Sequence, residues 1–275
     1  MISAKVIQDS ICHEKRIITL ECEYPRFIHA EVLTHRSFSR NSASSRAIPI
    51  ERVIEQVSSN TASPVFWGTN KAGMQAGEEH EDISLCLKTW NECRDSAIES
   101  AAKLNKLGLH KQLVNRMLEP FHMIKTVVTA TEWENFFTLR DHEDAQPEIR
   151  ALAIAMREAI ELSAPEVLKP DEWHVPYVNR HRSPHTGNLE YRLPSDSSSL
   201  SIDDALRVSA SCCAQVSYRR SDDTLSKADA IYNKLITMKP AHASPVEHAA
   251  TPLFMSCDTS GNFVGWKQNR QVLGL

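Results

Sequence analysis

Residues 34–46 read Thr-His-Arg-Ser-Phe-Ser-Arg-Asn-Ser-Ala-Ser-Ser-Arg, and no fold can place such a run inside an apolar core. The thirteen positions hold three arginines, one histidine, one asparagine and the five serines Ser37, Ser39, Ser42, Ser44 and Ser45, with no acid among them. Cations without partners are too costly to bury, so the run either stays solvated or meets an anion. Its flanks are of a different kind. Arg16 to Tyr24 partly alternates apolar and polar residues, with β-branched side chains, and predicts a strand that Pro25 ends. Phe27 to Leu33 reads as helical or turn-like. Pro49 to Val57 sets Ile50, Val53, Ile54 and Val57 on one helical face, with proline at the first turn. The polar run is therefore carried between a strand and a helix, as the rim of a site rather than as part of the packing.

Guanidinium forks suit phosphate and carboxylate, and serine or asparagine can complete the hydrogen bonding around a ring or sugar. The chain as a whole is no general binder of polyanions, since its 275 residues carry a net charge of -4 and a pI near 6.3. Its basic character is local. No charged-then-apolar leader opens the sequence, and no stretch approaches the roughly 20 apolar residues of a membrane span. We expect a cytoplasmic enzyme. The seven cysteines (Cys12, Cys22, Cys86, Cys93, Cys212, Cys213, Cys257) contain no Cys-x-x-Cys pair and read as reduced, mostly buried thiols. His181 and His185 are four apart but flank Pro184 in a polar stretch, so no metal site is expected.

Asn60 to Glu79 is rich in Ser, Asn, Gly and Pro and predicts an irregular loop. A long helix over Glu81 to Leu107 follows from Ile83, Cys86, Trp90, Cys93, Ala97, Ala101 and Leu104, with Gly108 where it would stop. Further helices are expected at Gln112 to Leu118, Glu132 to Leu139 and Ala145 to Leu162. His181 to Ser201 turns polar, with Pro184, Gly187, Pro194 and a serine cluster, and reads as a linker. Two more helices lie beyond it, over Ile202 to Val216 and Leu225 to Met238. We expect a single domain over 1–275, made of a segment 1–180, the linker 181–201 and a segment 202–275. The segment His242-x-Ser244-Pro-x-Glu247-His248 reads by itself as a helix start, with Ser244 as cap and Glu247 completing a capping box. No Gly-x-Gly-x-x-Gly, P-loop or Gly-x-Ser-x-Gly elbow occurs.

The polar run resembles the signature of flavin-dependent thymidylate synthases, Arg-His-Arg-x-x-Ser-x-Asn-x-x-Ser-x-Arg-Tyr. His35, Arg36, Ser39, Asn41, Ser44 and Arg46 match in register, whereas Thr34 and Ala47 replace the outer arginine and tyrosine. Downstream, Arg116-Met-Leu-Glu-Pro, Asn135-Phe-Phe-Thr-Leu-Arg140 and Ala145-Gln-Pro-Glu-Ile-Arg150 resemble the same family, with Thr129 and Thr131 where it usually has asparagine and arginine. Ala214-Gln-Val-Ser217-Tyr218 and His242 to His248 look like elements that family members carry before the signature. Here they follow it, which implies a circular permutation.

The resemblance implies an α/β (α+β) fold with a central mixed or antiparallel sheet, a helical bundle and permuted order. It implies methyl transfer to dUMP giving dTMP, with methylenetetrahydrofolate as one-carbon donor, FAD as carrier of electrons and methylene, and NADPH as reductant. By the same match Ser44 and Arg140 are catalytic, and Glu31, Ser44, Arg46, Arg116 and Arg140 bind the pyrimidine deoxynucleotide monophosphate. His35, Arg36, Asn41, Asn135, Ser217, Ser244 and Glu247 contact FAD, and His242 lies near folate. The family's homotetramer, with sites between subunits, is carried over as an expectation. Two alternatives stand beside this reading. One is the same fold acting on another pyrimidine nucleotide or giving a hydroxymethyl or other modified base; the other is a non-catalytic nucleotide- or nucleic-acid-binding relative.

Overall fold

The computed structural model describes residues 1–217 and 222–275, the side chain of Ser217 excepted. The chain opens with a hairpin of β1 (Ser3–Cys12) and β2 (Lys15–Pro25). His13 and Glu14 turn it with φ of 47° and 64°, the left-handed geometry a two-residue hairpin loop requires. The order then runs α1 (His29–Leu33), β3 (Ser39–Ser42), α2 (Ile50–Ser59), α3 (Ile83–Lys106), α4 (Lys111–Val114), β4 (Met123–Ala130), α5 (Glu134–Arg140), α6 (Pro147–Glu161) and β5 (Glu166–Val167). These strands make one five-stranded sheet in the order β3-β4-β2-β1-β5. All neighbours are antiparallel except β1 and β5, so the sheet is mixed, as expected.

Strand alternation divides this sheet into two unlike faces. Ile18, Leu20, Cys22 and Tyr24 of β2 share one face with Ile124, Val128 and Ala130 of β4, and pack with Val53 and Val57 of α2 and Ile149, Leu152 and Met156 of α6. On the other face Ser39, Thr129, Thr19 and Gln8 stand opposite one another across four strands, a polar stripe. All four are buried.

What covers the stripe is the C-terminal part of the chain. It comprises β6 (Asn179–Arg182), β7 (Leu189–Arg192), β8 (Ser199–Leu200), α7 (Ile202–Ala214), α8 (Leu225–Thr237), β9 (Ala250–Pro252), β10 (Thr259–Ser260), β11 (Phe263–Val264), β12 (Trp266–Gln268) and α9 (Asn269–Val272). Its apolar contacts with the second face are local: Trp266 and Phe263 reach Ile17 and Cys12, and Cys213 and Val216 reach Val127.

Several local expectations change. The stretch 181–201, read as polar and unpatterned, carries β7, β8 and the second half of β6, which form an antiparallel sheet, and Tyr191, Leu193 and Leu200 enter a second core with α7. Its strands are too short for alternation to stand out among the serines. The helix over Gln112 to Leu118 is a single α turn, Lys111–Val114, continued as a 3-10 turn over Asn115–Phe121 that contains Pro120. Strands β1 and β4 had no counterpart among the expected elements.

Candidate functional site

β3 lies at the sheet edge and carries the middle of the polar run, so its residues separate by parity. Arg40 and Ser42 turn to the first face. There Arg40 Nη1 donates to the carbonyls of Leu33 and His35, each at 2.8 Å, closing the end of α1. One of the three arginines is therefore engaged by backbone. Ser39 and Asn41 turn to the second face and meet the C-terminal part. Asn41 Nδ2 donates to the Cys213 carbonyl at 2.6 Å, while its Oδ1 accepts from Ser244 Oγ at 3.0 Å. Gln268 Nε2 donates to Ser39 Oγ and Asn262 Oδ1, both at 2.8 Å, and to the Glu247 carbonyl at 3.4 Å. Gly261, at φ 63°, allows its loop to close on the Gln268 side chain, where a Cβ would collide.

Arg140, at the end of α5, is held in an unusual way. Its Nε donates to His35 Nε2 at 2.9 Å and its Nη2 to Thr34 Oγ1 at 3.4 Å. His35 is buried, edge-on to Phe136 at 4.8 Å. Burial, with the charges of Arg140 and Arg40, lowers its pKa to about 4, so the ring is neutral and accepts through Nε2. Among the described residues Arg140 has no ion pair. It lines a cavity of about 670 Å³ whose other wall includes Phe66, Met74 and Gln75 of the irregular 60–79 stretch.

Arg116 lies in a different cleft. It pairs with Glu119 at 3.1 Å, as does Arg26 at 3.0 Å, and Ser45 Oγ donates to the same carboxylate at 2.9 Å. Arg26, Arg116 and Glu119 border a cavity of about 400 Å³ with His29 and Leu33. Arg46 and Ser44 are exposed on the following turn, where Arg46 N donates to Ser44 Oγ at 3.3 Å. Buried Asn115 fixes that turn through the carbonyls of Ser45 and Ile48, at 2.7 and 3.0 Å. Among the described residues, then, Arg116 and Arg140 line different cavities.

The remaining expected residues are dispersed. Glu31, on α1, keeps a buried Oε2 without a partner among the described residues. Arg36, Asn135 and His242 are exposed. Ser244 and Glu247 belong to a 3-10 turn, Ser244–Glu247, in which the expected capping box does not form. Ser244 turns to Asn41 instead, and Glu247 Oε1 accepts from Arg270 Nη1, so tertiary partners outcompete the local ones. The Ser217 side chain and Tyr218 lie outside the described residues. Thr129 Oγ1 is paired with Thr19 Oγ1 and His248 Nδ1, and Thr131 Oγ1 accepts from Val264 N. Both departures from the family pattern thus serve to seat the C-terminal part. Arg26, Asn115, Asn262 and Gln268 escaped the sequence reading; none stands in a motif, and their roles come from distant partners.

The residues present fit a flavin in kind. Arg36 and His242 are exposed donors, Ser244 is exposed beside Asn41, and His248 Nε2 is a buried polar atom with no partner among the described residues. No group of His, Cys, Asp and Glu able to hold a metal occurs among the described residues. All seven cysteines are free, and burial pushes the Cys212 thiol up to about 12 and holds Cys22 and Cys213 well above the ordinary thiol value, which makes these three poor nucleophiles. No helix among the described residues is long and apolar enough to cross a membrane.

The family model described as thymidylate synthase complementing protein matches residues 10–166, more than half of the chain. No curated protein matches. Among solved structures, the chain resembles a UMP/dUMP methylase, PolB, from Streptomyces cacaoi. In the crystal structure with 5-Br UMP it is 15% identical with a TM-score of 0.50, covering 58% of this chain and 88% of that one. In the structure with 5-Br dUMP it is 15% identical with a TM-score of 0.49, covering 58% and 90%. At this identity the likeness concerns the fold.

Proposed function

The chain belongs to the thymidylate synthase complementing protein family, and from that premise we propose that it methylates a pyrimidine deoxynucleotide monophosphate, turning dUMP into dTMP. In this reading methylenetetrahydrofolate is the one-carbon donor, FAD the bound cofactor and NADPH the reductant. The observation that carries it is the setting of Arg140: a guanidinium oriented by a neutral imidazole and a hydroxyl, with no ion pair among the described residues, at the wall of a cavity. A carboxylate in that place would cancel the charge. A neutral acceptor fixes the fork and leaves its charge for a ligand.

The roles then divide by chemistry. Arg46 and Arg116 are donors for the nucleotide phosphate, Ser44 orients the nucleotide, and the partnerless Glu31 oxygen accepts from base or sugar. Arg140 stabilises negative charge that develops on the pyrimidine carbonyl or N3. When bound, the reduced flavin supplies the electrons, so no cysteine nucleophile is required. Asn41, Ser244, Glu247 and Ser217, with His35, Arg36 and Asn135, form the flavin side, and His242 the folate side.

The clefts of Arg116 and Arg140, separate within one chain, support a site completed between subunits of a homotetramer. Helix α3 supports it too: over 24 residues only Ala101 is buried, while Leu85 and Leu87 are exposed. A protein that sedimented only as a monomer with full nucleotide and flavin affinity would refute this. Permutation is supported by the family match ending at residue 166 and by the Ser244–Asn41 and His248–Thr129 bonds, which bring the His242 to His248 segment onto the signature strand and its neighbour β4.

A second reading, another pyrimidine nucleotide such as UMP, is favoured by the engagement of Thr129 and Thr131 within the protein. One experiment separates the two: incubation with FAD, NADPH, methylenetetrahydrofolate and either dUMP, UMP or dCMP, followed by mass spectrometry of the nucleotide. A methyl gained on dUMP supports the first reading and on UMP the second, whereas a hydroxymethyl group identifies a variant outcome. Flavin-loaded protein that modifies none of them sinks the enzymatic reading. Arg140→Ala is expected to weaken nucleotide binding by about 2–5 kcal/mol in calorimetry.

A further inference from the structure

A line of buried polar side chains runs through the second face of the sheet and ends beneath the turn that carries Ser244 and Glu247. Arg180 Nη1, on β6, donates to Ser10 Oγ at 2.7 Å. Ser10 Oγ meets His174 Nδ1 at 2.8 Å, and His174 Nε2 meets Thr19 Oγ1 at 2.8 Å. Thr19 Oγ1 meets Thr129 Oγ1 at 2.7 Å, and Thr129 Oγ1 meets His248 Nδ1 at 2.8 Å. Ser10, Thr19, Thr129, His174 and His248 are all inaccessible to solvent. The last atom of the line, His248 Nε2, has no partner among the described residues.

The direction of the line follows from its first member. A guanidinium only donates, so Ser10 Oγ accepts from Arg180 and has its own proton left to place. Placed on His174 Nδ1, that proton makes the imidazole an acceptor there and a donor at Nε2. Thr19 then accepts and passes its proton to Thr129, and Thr129 passes its own to His248 Nδ1. Every proton between Arg180 and His248 Nδ1 is used, and His248 is left as the Nε2–H tautomer, with that last proton unpaired among the described residues. The opposite direction strands the Ser10 proton in addition to leaving Nε2 unpaired, and each stranded buried group is unfavourable. Both rings are neutral, because burial lowers both pKa values, and the Arg180 charge lowers that of His174 further.

We propose that Arg180 is a positioning residue for the candidate site: through Ser10, His174, Thr19 and Thr129 it holds His248 as the Nε2–H tautomer. A group that reaches this buried nitrogen beneath the turn 244–248 therefore meets a donor, suited to an acceptor oxygen, rather than a lone pair. Its consequence for cofactor binding rests on the flavin reading above; the tautomer does not, since it is measured on ligand-free protein.

Long-range proton–nitrogen correlation spectra of 15N-labelled protein distinguish the two tautomers, with His248→Gln assigning the signals. Expected at neutral pH is Nε2–H on both His174 and His248. Thr19→Val, nearly isosteric and placed in the middle of the line, is expected to give a mixture at His248, and Thr19→Ser to restore the single form. Arg180→Leu should produce the same mixture from the far end, and Arg180→Lys should reverse it. FAD affinity is expected to fall about tenfold, or about 1.4 kcal/mol, in Thr19→Val and to recover in Thr19→Ser. Nδ1–H on His248 in the unaltered protein, or a tautomer unmoved by both Thr19→Val and Arg180→Leu, overturns the proposal. So does a switched tautomer with unchanged FAD affinity. Unaltered protein that shows the expected tautomers and their response to Thr19→Val but binds no FAD overturns the flavin reading and supports the positioning line.

Discussion

On one face of the central sheet Ile18, Leu20, Tyr24, Ile124 and Val128 pack into a core with α2 and α6; on the other, Ser39, Thr129, Thr19 and Gln8 stand abreast across the same strands. Neighbouring residues of β2, Ile18 and Thr19, thus belong to different worlds. The apolar face is held by contact area, which has no preferred direction and accepts many shapes. Hydrogen bonds whose donors and acceptors must match one by one hold much of the polar face. The expected flavin and folate residues of the C-terminal part, Ser244, Glu247 and His242, sit on the segment that the polar face seats. Packing of the first kind makes the sheet; pairing of the second kind places that segment.

Acid gives the largest contrast. Burial holds His29, His35 and His122 at about 4 and His248 at about 3, and takes His174 well below its ordinary value. The unfolded chain takes up these protons near 6.5, so between 6.5 and the folded values it binds more protons than the native state. Stability is complete above about pH 6.5 and falls as pH drops towards 4 and, for His248, towards 3. Urea unfolding at a series of pH values should show this slope, and His248→Gln should flatten it. A slope that is unchanged would mean that His248 is charged in the fold, contrary to its burial.

Leu20→Ala, which removes a fully buried side chain from the apolar face, is expected to cost about 2–5 kcal/mol, equally at every pH. If it altered the acid slope as well, the two faces would not be independent. Thr129→Val keeps the shape of the polar face but strands Thr19 and His248 Nδ1, at about 1–3 kcal/mol in the same assay. Arg46→Ala is the smallest: exposed and on neither face, it should leave stability within about 0.5 kcal/mol while weakening nucleotide binding in calorimetry. Unchanged nucleotide affinity would remove Arg46 from the site.

The apolar face is largely legible in the sequence. The strand ending at Pro25, the helix after Pro49, the long helix stopping at Gly108 and the stripe of Ile149, Leu152 and Met156 all follow from period and punctuation, and each is present. β1 and β4 are not legible in the same way, because β1 has polar residues that are buried and β4 is buried on both sides, so neither shows simple alternation. Within β3, parity alone separates Arg40 from Asn41, but a strand of four polar residues gives no period by which to recognise it. The involvement of Gln268 and Asn262 has no local signal; the residues of the polar run that they meet, Ser37 and Ser39, are more than 200 residues away in sequence.

By itself the sequence determined that residues 34–46 lay between a strand and a helix and matched one family's signature in register. Those are statements about composition and spacing, which survive without knowing any contact. The expectation that the run stays out of the packing is corrected at Phe38 and Ala43, which join the main core, and at His35, Ser39 and Ser45, which are buried. Only the tertiary structure decided which of the cations remain available. Arg40 is engaged by the end of the preceding helix, Arg140 reaches His35 from 105 residues away, and Asn41 joins the run to a segment near the other end of the chain. Hydrogen bonds are directional and short, so which residues share a site is settled by where the chain returns, and spacing along it cannot say.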